Sequence, residues 1–507
     1  MSKTILGVFL LCLCMTPVQA SDLADAVQRG DESQLPEKLG EADGNQAQAD
    51  GMTPLHWAVR HRKPAVVARL LAAKADPNAR THYGVTPLAI AAETGDETLV
   101  SALCEAGADP NASGAGKVTP LILASHAGHV DVVRSLVDAG ANVNATQRKG
   151  QTALMFAADA GHVPVMEVLL EAGAERDVTL SSGFNALLFA VRRGHREAAK
   201  HLIAAGADVN QVMRPKNSSG RNPRSGMTPI MIAVESAHYR MALDLVELGA
   251  DPNDETSEFA PLHALTWVRR PQKGDNPEGD PPPSGSGTMT ALQFARELVS
   301  AGADVNLQLR RGKRPRGRLN SRGATPFLMA CQTVDLPYME TLLDLGANPN
   351  IANIDGCTAL MAAAGVGNHH VGEHPGTPEE VEVAVRMLVD MGLDINAVDK
   401  HGETAMHGAA YRCFPQTVRL VALLGADPNV WDHKNSYGWT PLIIAKGYRP
   451  GSFKPDPPTI AAVEELLGER LATTAQDGKR LDWQAPEPES AAAAKTPRDA
   501  AKNADSK

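Results

Sequence analysis

Aromatic side chains are scarce in this 507-residue sequence, only 4% of the total against 43% hydrophobic residues overall. A chain so poor in large rings is ill suited to one wide globular core, and many thin cores of small aliphatic residues suit it better. Beyond residues 5–15 the sequence has no long apolar run, so no transmembrane segment is expected. Positive charge is also short: 49 Lys and Arg stand against 59 Asp and Glu, a net charge of -10, which disfavours general nucleic-acid binding. The sequence has no nucleophile elbow, H-E-x-x-H pair, phosphate loop or dinucleotide fingerprint. It therefore predicts a non-enzyme that needs no cofactor and no metal.

What is present begins with Lys3, a short apolar stretch at residues 5–15, and Val18-Gln19-Ala20, which ends in the small residue that signal cleavage favours. Residues 1–20 read as a cleavable signal peptide, which makes the mature chain periplasmic or secreted. Four cysteines then remain, Cys104, Cys331, Cys357 and Cys413, an even number that allows disulfides in an exported chain.

The dominant signal is periodic. Thr53-Pro54-Leu55-His56, Thr86-Pro87-Leu88, Thr119-Pro120-Leu121, Thr152-Ala153-Leu154 and Asn185-Ala186-Leu187 follow one another at offsets of 33 residues. Further copies start at Thr228, Ala260, Thr325, Thr358, Thr404 and Thr440, with larger offsets where residues are inserted. With the Thr position as zero, position +2 is apolar in every copy and +5 is Ala in ten of eleven. Thr can cap the open backbone donors of a helix, and Pro beside it fits the first turn. A second apolar stripe at helical spacing follows, as in Val130, Val133, Leu136 and Val137, with Pro64, Pro164, Pro337 and Pro415 at its start. Each copy closes on a second string, such as Gly107-Ala108-Asp109-Pro110-Asn111 or Gly206-Ala207-Asp208-Val209-Asn210, whose glycine suits a left-handed helix end.

A 33-residue unit that opens on T-P-L-H and closes on G-A-D-x-N resembles the ankyrin repeat. The resemblance implies an all-α ankyrin-repeat solenoid: paired antiparallel helices joined by β-hairpin or loop fingers, with about eleven repeats plus an N-terminal cap. The expected layout is a signal peptide at 1–20, a degenerate capping repeat at 21–50, the solenoid at 51–471 and a disordered tail at 472–507. In Gly402 to Tyr411 and Tyr437 to Ala445 the chain is similar to long exported bacterial ankyrin proteins. In a solenoid only adjacent copies touch, which favours thiols over disulfides, Cys331–Cys357 being the bridge that stays open.

Departures from the repeat locate candidate contacts. Two enlarged fingers, residues 211–226 and 307–323, hold basic residues and no acidic ones: Arg214, Lys216, Arg221 and Arg224 in the first; Arg310, Arg311, Lys313, Arg314, Arg316 and Arg318 in the second. Both suit an anionic surface, or serve as solvated loops. The last finger adds Trp431, Tyr437 and Trp439, either an aromatic contact patch or packing of the C-terminal end. Insertions at 271–289 and 366–380 fall between paired helices, and His369, His370 and His374 of the second read as a solvated loop. His129, His162, His195 and His238 share phase +10, the interhelix turn, and read as structural. The expected function is a non-catalytic protein-binding scaffold, monomeric, with an unknown protein partner. A secreted effector or immunity-like protein is the alternative.

Overall fold

The computed structural model describes residues 20–30, 44–216, 225–271, 283–311, 319–368, 375–448 and 454–468. They form an all-α fold of short helices in which each repeat supplies a pair, for example Pro54–Arg60 with Pro64–Ala72, Pro87–Thr94 with Glu97–Glu105, and Pro120–Ala127 with Val130–Asp138. Helices of seven to nine residues are marginal alone in water, so neighbouring pairs must stabilise them. First helices stack on first helices and second helices on second ones, through fully buried rows such as Leu55, Leu88, Leu121 and Leu154 at phase +2 and Ala58, Ala91, Ala124 and Ala157 at +5. Alanine at +5 is what lets the first helices approach.

Two compact units are present: Met1–Ser257 with Pro283–Phe294, and Glu258–Pro282 with Ala295–Lys507. In the first, the helix Ala20–Arg29 packs on Pro54–Arg60 and caps the stack.

Local chemistry fixes each helix start. Thr86, Thr119, Thr152, Asn185, Thr325, Thr358 and Thr440 each accept the amide three residues on, and the four prolines expected at second-helix starts sit in the first turn. At Thr53 the box is closed by His56, whose Nδ1 lies 2.8 Å from Thr53 Oγ1 while Nε2–H donates to Val85 O of the next repeat at 3.0 Å.

Phase +9 demands a left-handed backbone. Gly95, Gly128, Gly161 and Gly194 meet that demand with φ between 75° and 84°, and Arg62, Ala237, Val334 and Cys413 adopt it at φ 53° to 58°. A further constraint acts at the glycines. A Cβ on Gly128 would stand 2.7 Å from the His162 ring, and His129, His195 and His238 occupy the same place beside Gly95, Gly161 and Gly194. Each of these histidines donates Nε2–H to a carbonyl of the preceding repeat: His129 to Glu93 O, His162 to His126 O, His195 to Asp159 O and His238 to Arg192 O, at 2.9 to 3.2 Å. The +10 histidines are structural, as their phase indicates.

A second ladder runs through the closing string. Asn111 Nδ2 donates to Gly140 O at 3.1 Å while its Oδ1 accepts Asn142 N–H at 2.7 Å. The same two-point clamp recurs at Asn78, Asn144, Asn210, Asn306 and Asn396. Arg176-Asp177 stands where the fourth copy would have its asparagine, and there the guanidinium of Arg176 lies against Gly206 instead.

The second unit holds buried charge. Arg269 grips Asp335 through two nitrogens at 2.7 and 2.9 Å. Arg412, fully buried, passes over Gly365 and donates to Gln332 O at 2.9 Å, so one side chain joins three repeats. Burial, with Arg270 nearby, pulls its guanidinium down to about 10.

Candidate partner-docking surface

Of the two forms expected, β-hairpin or loop, the fingers take the loop. The short ones are closed by a backbone pair across five residues, such as Thr81 N–H to Val85 O at 3.0 Å, with Gly84 at φ 73° completing the turn. Such loops are too short for a ladder, and among the described residues β-structure is limited to the isolated bridge Thr146–Thr152. Fingers bond to fingers in turn: Ala115 N–H to Tyr83 O, Arg148 N–H to Gly116 O and Lys216 N–H to Ser181 O, at 2.7 to 2.9 Å.

Behind the fingers of the first unit, phases +4, +7 and +8 of the first helices share one face, because they are separated by three and four residues. Phase +4 reads Trp57, Ile90, Leu123, Phe156, Phe189 and Ile232, of which Trp57, Leu123 and Phe156 are half-buried and the other three are buried. Phase +7 reads Arg60, Glu93, His126, Asp159, Arg192 and Glu235, exposed or half-exposed and mixed in sign. The rows interlock. Arg60 lies 5.9 Å over Trp57, His126 meets Phe156 edge-on at 5.5 Å, and Arg192 lies 4.8 and 5.2 Å over Phe184 and Phe189. Phe184 belongs to the preceding finger and touches Phe189 at 5.3 Å, and Trp57 Nε1–H donates to Gln48 in the finger before it at 2.7 Å. Finger and helix face therefore form one continuous surface.

In the second unit phase +4 is Ala264, Met329, Ala362, Gly408 and Ile444, all buried. It has no comparable apolar row. Its fingers enclose a polar cluster instead: Tyr411 Oη–H donates to Glu403 at 2.8 Å, Asn435 Nδ2 donates to the same carboxylate at 3.2 Å, and Asn320 Nδ2 donates to Asp355 at 3.0 Å. Burial, reinforced by Glu403, pushes the Tyr411 phenol well above its usual range. Among the described residues, no group of three or more His, Cys, Asp or Glu is placed to hold a metal ion.

Of the residues singled out in sequence, Arg214 and Lys216 are exposed on a finger whose base is pinned by Met213 and Met227, paired at 2.8 Å. Arg310 and Arg311 are exposed beside the pair Leu309 N–H to Ala324 O, at 3.1 Å. Arg221, Arg224, Lys313, Arg314, Arg316 and Arg318 lie outside the described residues, as do His369, His370, His374 and the 472–507 tail. Trp431 is a correction: it is 1% exposed and its Nε1–H donates to Ala426 O at 3.3 Å, so it is core and cannot touch a partner. Tyr437 and Trp439 stack at 5.0 Å and are half-buried, Trp439 against Tyr411 and Ile444. Cys331 and Cys357 are buried thiols rather than a bridge, and burial alone lifts Cys331 well above the normal thiol range. From the insertion at 271–289, Ser286 N–H donates to His238 Nδ1 at 3.0 Å, beside the interhelix turn.

The sequence reading missed the +4 row. It is periodic, large and apolar, with three rings among its six members, a signal that sorting the copies by phase brings out.

Comparison with known proteins agrees with this architecture. A family model described as ankyrin repeats in three copies matches residues 23–114, 113–180 and 172–256, and a second, ankyrin repeats in many copies, matches 379–422. The human "Ankyrin repeat and SOCS box protein 6" is 29% identical over 151 residues, 26% of this chain and 32% of that protein. The "Probable 26S proteasome regulatory subunit p28" of Saccharomyces cerevisiae is 28% identical over 130 residues, 25% of this chain and 50% of its own length. The "Glycerophosphocholine phosphodiesterase gde1" of Schizosaccharomyces pombe is 36% identical over 66 residues, 13% of this chain and 6% of that protein. The chain thus spans half or less of the length of each of these relatives. Repeating helix pairs, the two bonded ladders and the matches over both units show that the chain belongs to the ankyrin-repeat family.

Proposed function

We propose that the chain is a non-catalytic protein-binding scaffold acting in the periplasm or outside the cell, and that the first unit holds its docking surface. The observation behind the reading is the +4 row. Trp57, Leu123 and Phe156 are half-exposed in a row of large apolar residues whose other members, Ile90, Phe189 and Ile232, are buried, and rings flanked by Arg60, His126 and Arg192 are of the kind that anchors protein interfaces. Export rests on residues 1–20 as a signal peptide, with 21–50 as cap, 51–471 as solenoid and 472–507 as a disordered tail. The phosphodiesterase match spans only 66 residues and supports no catalytic reading.

The test is capture from cell-envelope extract with the tagged chain, using Trp57→Ala with Phe156→Ala against Leu423→Ala, an exposed change on a second helix. Loss of captured protein in the first variant alone is the expected result. Equal capture by both variants would remove the +4 row as the docking surface.

A further inference from the structure

The first unit has a second surface property that its docking face alone does not explain. Five successive fingers of this unit, residues 79–85, 112–118, 145–151, 178–184 and 211–216, contain no Asp or Glu, in a chain of net charge -10. They hold Arg80, Lys117, Arg148, Lys149, Arg214 and Lys216, all exposed. Amide bonds join the first finger to the second, the second to the third and the fourth to the fifth, and Arg80 Nη1–H donates to Ser113 O at 3.1 Å, so these cations stand on adjoining fingers. In these loops acidic residues are confined to the finger bases, where Asp76, Asp109 and Asp208 keep their charge and each accept the amide two residues on, at 2.8 to 2.9 Å. Arg176 lies 3.4 Å from Asp177 at the fourth.

We infer that the first unit binds an extended protein segment in which acidic and apolar residues are mixed, the acidic ones meeting the finger edge and the apolar ones the Trp57–Leu123–Phe156 row. The inference rests on the scaffold reading above and specifies its partner. Charge density favours this class over a nucleic acid. Helix pairs stack at roughly 8–10 Å, so five fingers span about 40 Å. Duplex DNA carries about one phosphate per 1.7 Å, on the order of twenty over that length, against six cations here. An extended peptide covers the same distance in about a dozen residues, and half of them acidic would match the edge. The half-exposed rings on the helix face behind the fingers add an apolar contact that a plain polyanion would leave unused.

The experiment selects a displayed random library of roughly 15-residue peptides, long enough to span the five fingers, on the full chain at low salt. Recovered peptides should be enriched in Asp and Glu together with Leu, Phe and Trp. Selected peptides should bind the Lys117→Glu, Arg148→Glu, Lys149→Glu variant at least about tenfold more weakly, with its melting curve verifying the fold. Recovered peptides that need Trp57 and Phe156 but show no acidic excess would overturn the partner class and leave the scaffold reading standing. If no peptide distinguishes the native chain from Trp57→Ala with Phe156→Ala, both fail. Equal competition by a single-stranded oligonucleotide, unaffected by Phe156→Ala, would replace the peptide with a polyanion.

Discussion

Buried histidines give this protein its sharpest residue-scale liability. His263 is fully enclosed and donates to Ala324 O at 3.1 Å; burial, opposed by the carbonyls of Ala324 and Leu307, lowers it to about 4, and His407 falls to about 4 for the same first reason. A folded-state value below the unfolded one near 6.5 favours the neutral ring. Stability is therefore complete above pH 6.5 and is lost as the pH falls towards 4, by about 3 kcal/mol for His263. Urea midpoints from pH 7 to 4 should fall for the native protein and fall less for His263→Gln, which keeps a donor for Ala324. A parallel slope in both would show that His263 is not responsible. Trp431 is a packing case. Trp431→Ala should cost about 3–5 kcal/mol as a core cavity, whereas Tyr437→Ala, half-buried, should cost less than half as much in the same melt.

At the scale of the element, two kinds of left-handed glycine should respond differently. Gly107 at φ 89° has nothing within 4 Å of a would-be Cβ, so Gly107→Ala should pay only the backbone cost, about 1 kcal/mol. Gly128→Ala adds a collision with the His162 ring and should cost clearly more; chemical denaturation of the two variants decides it, and equal losses would refute the ring's role. These elements also show what sequence made legible. Helix starts, proline positions, the closing glycines and the +10 histidines all followed from phase, because each answers a local backbone demand that recurs every 33 residues. Sequence left the finger form and the place of Trp431 open between two readings, and it did not show the reach of Arg412 across Gly365 to Gln332. They depend on which copy stands next, and that is a tertiary fact. The proposed docking face is half legible in sequence: its cations Arg214 and Lys216 sit in an insertion that breaks the period, whereas the +4 rings sit inside the consensus.

Across the whole molecule, stability should behave as a sum of junctions, since the bonded ladders join each repeat mainly to its neighbours. Asn111→Ala removes two inter-repeat bonds in the first unit and Asn396→Ala two in the second, about 1–3 kcal/mol each. They share no partner, so the double variant should be additive to within about 0.5 kcal/mol, and a larger coupling in hydrogen-exchange or denaturant measurements would contradict a sum of local junctions.

The asparagine clamp has one more consequence, which concerns inheritance more than energy. Asn210 still finds Gly249 and Asp251, and Asn306 still finds Gly346 and Asn348, although each pair is separated by an enlarged finger. Each clamp thus acts as a reset that restores phase after extra residues, so a length error made in one copy is not passed to the next. A gene built of such copies can lengthen its fingers one at a time, and explore new partners, without rewriting the rest of its text.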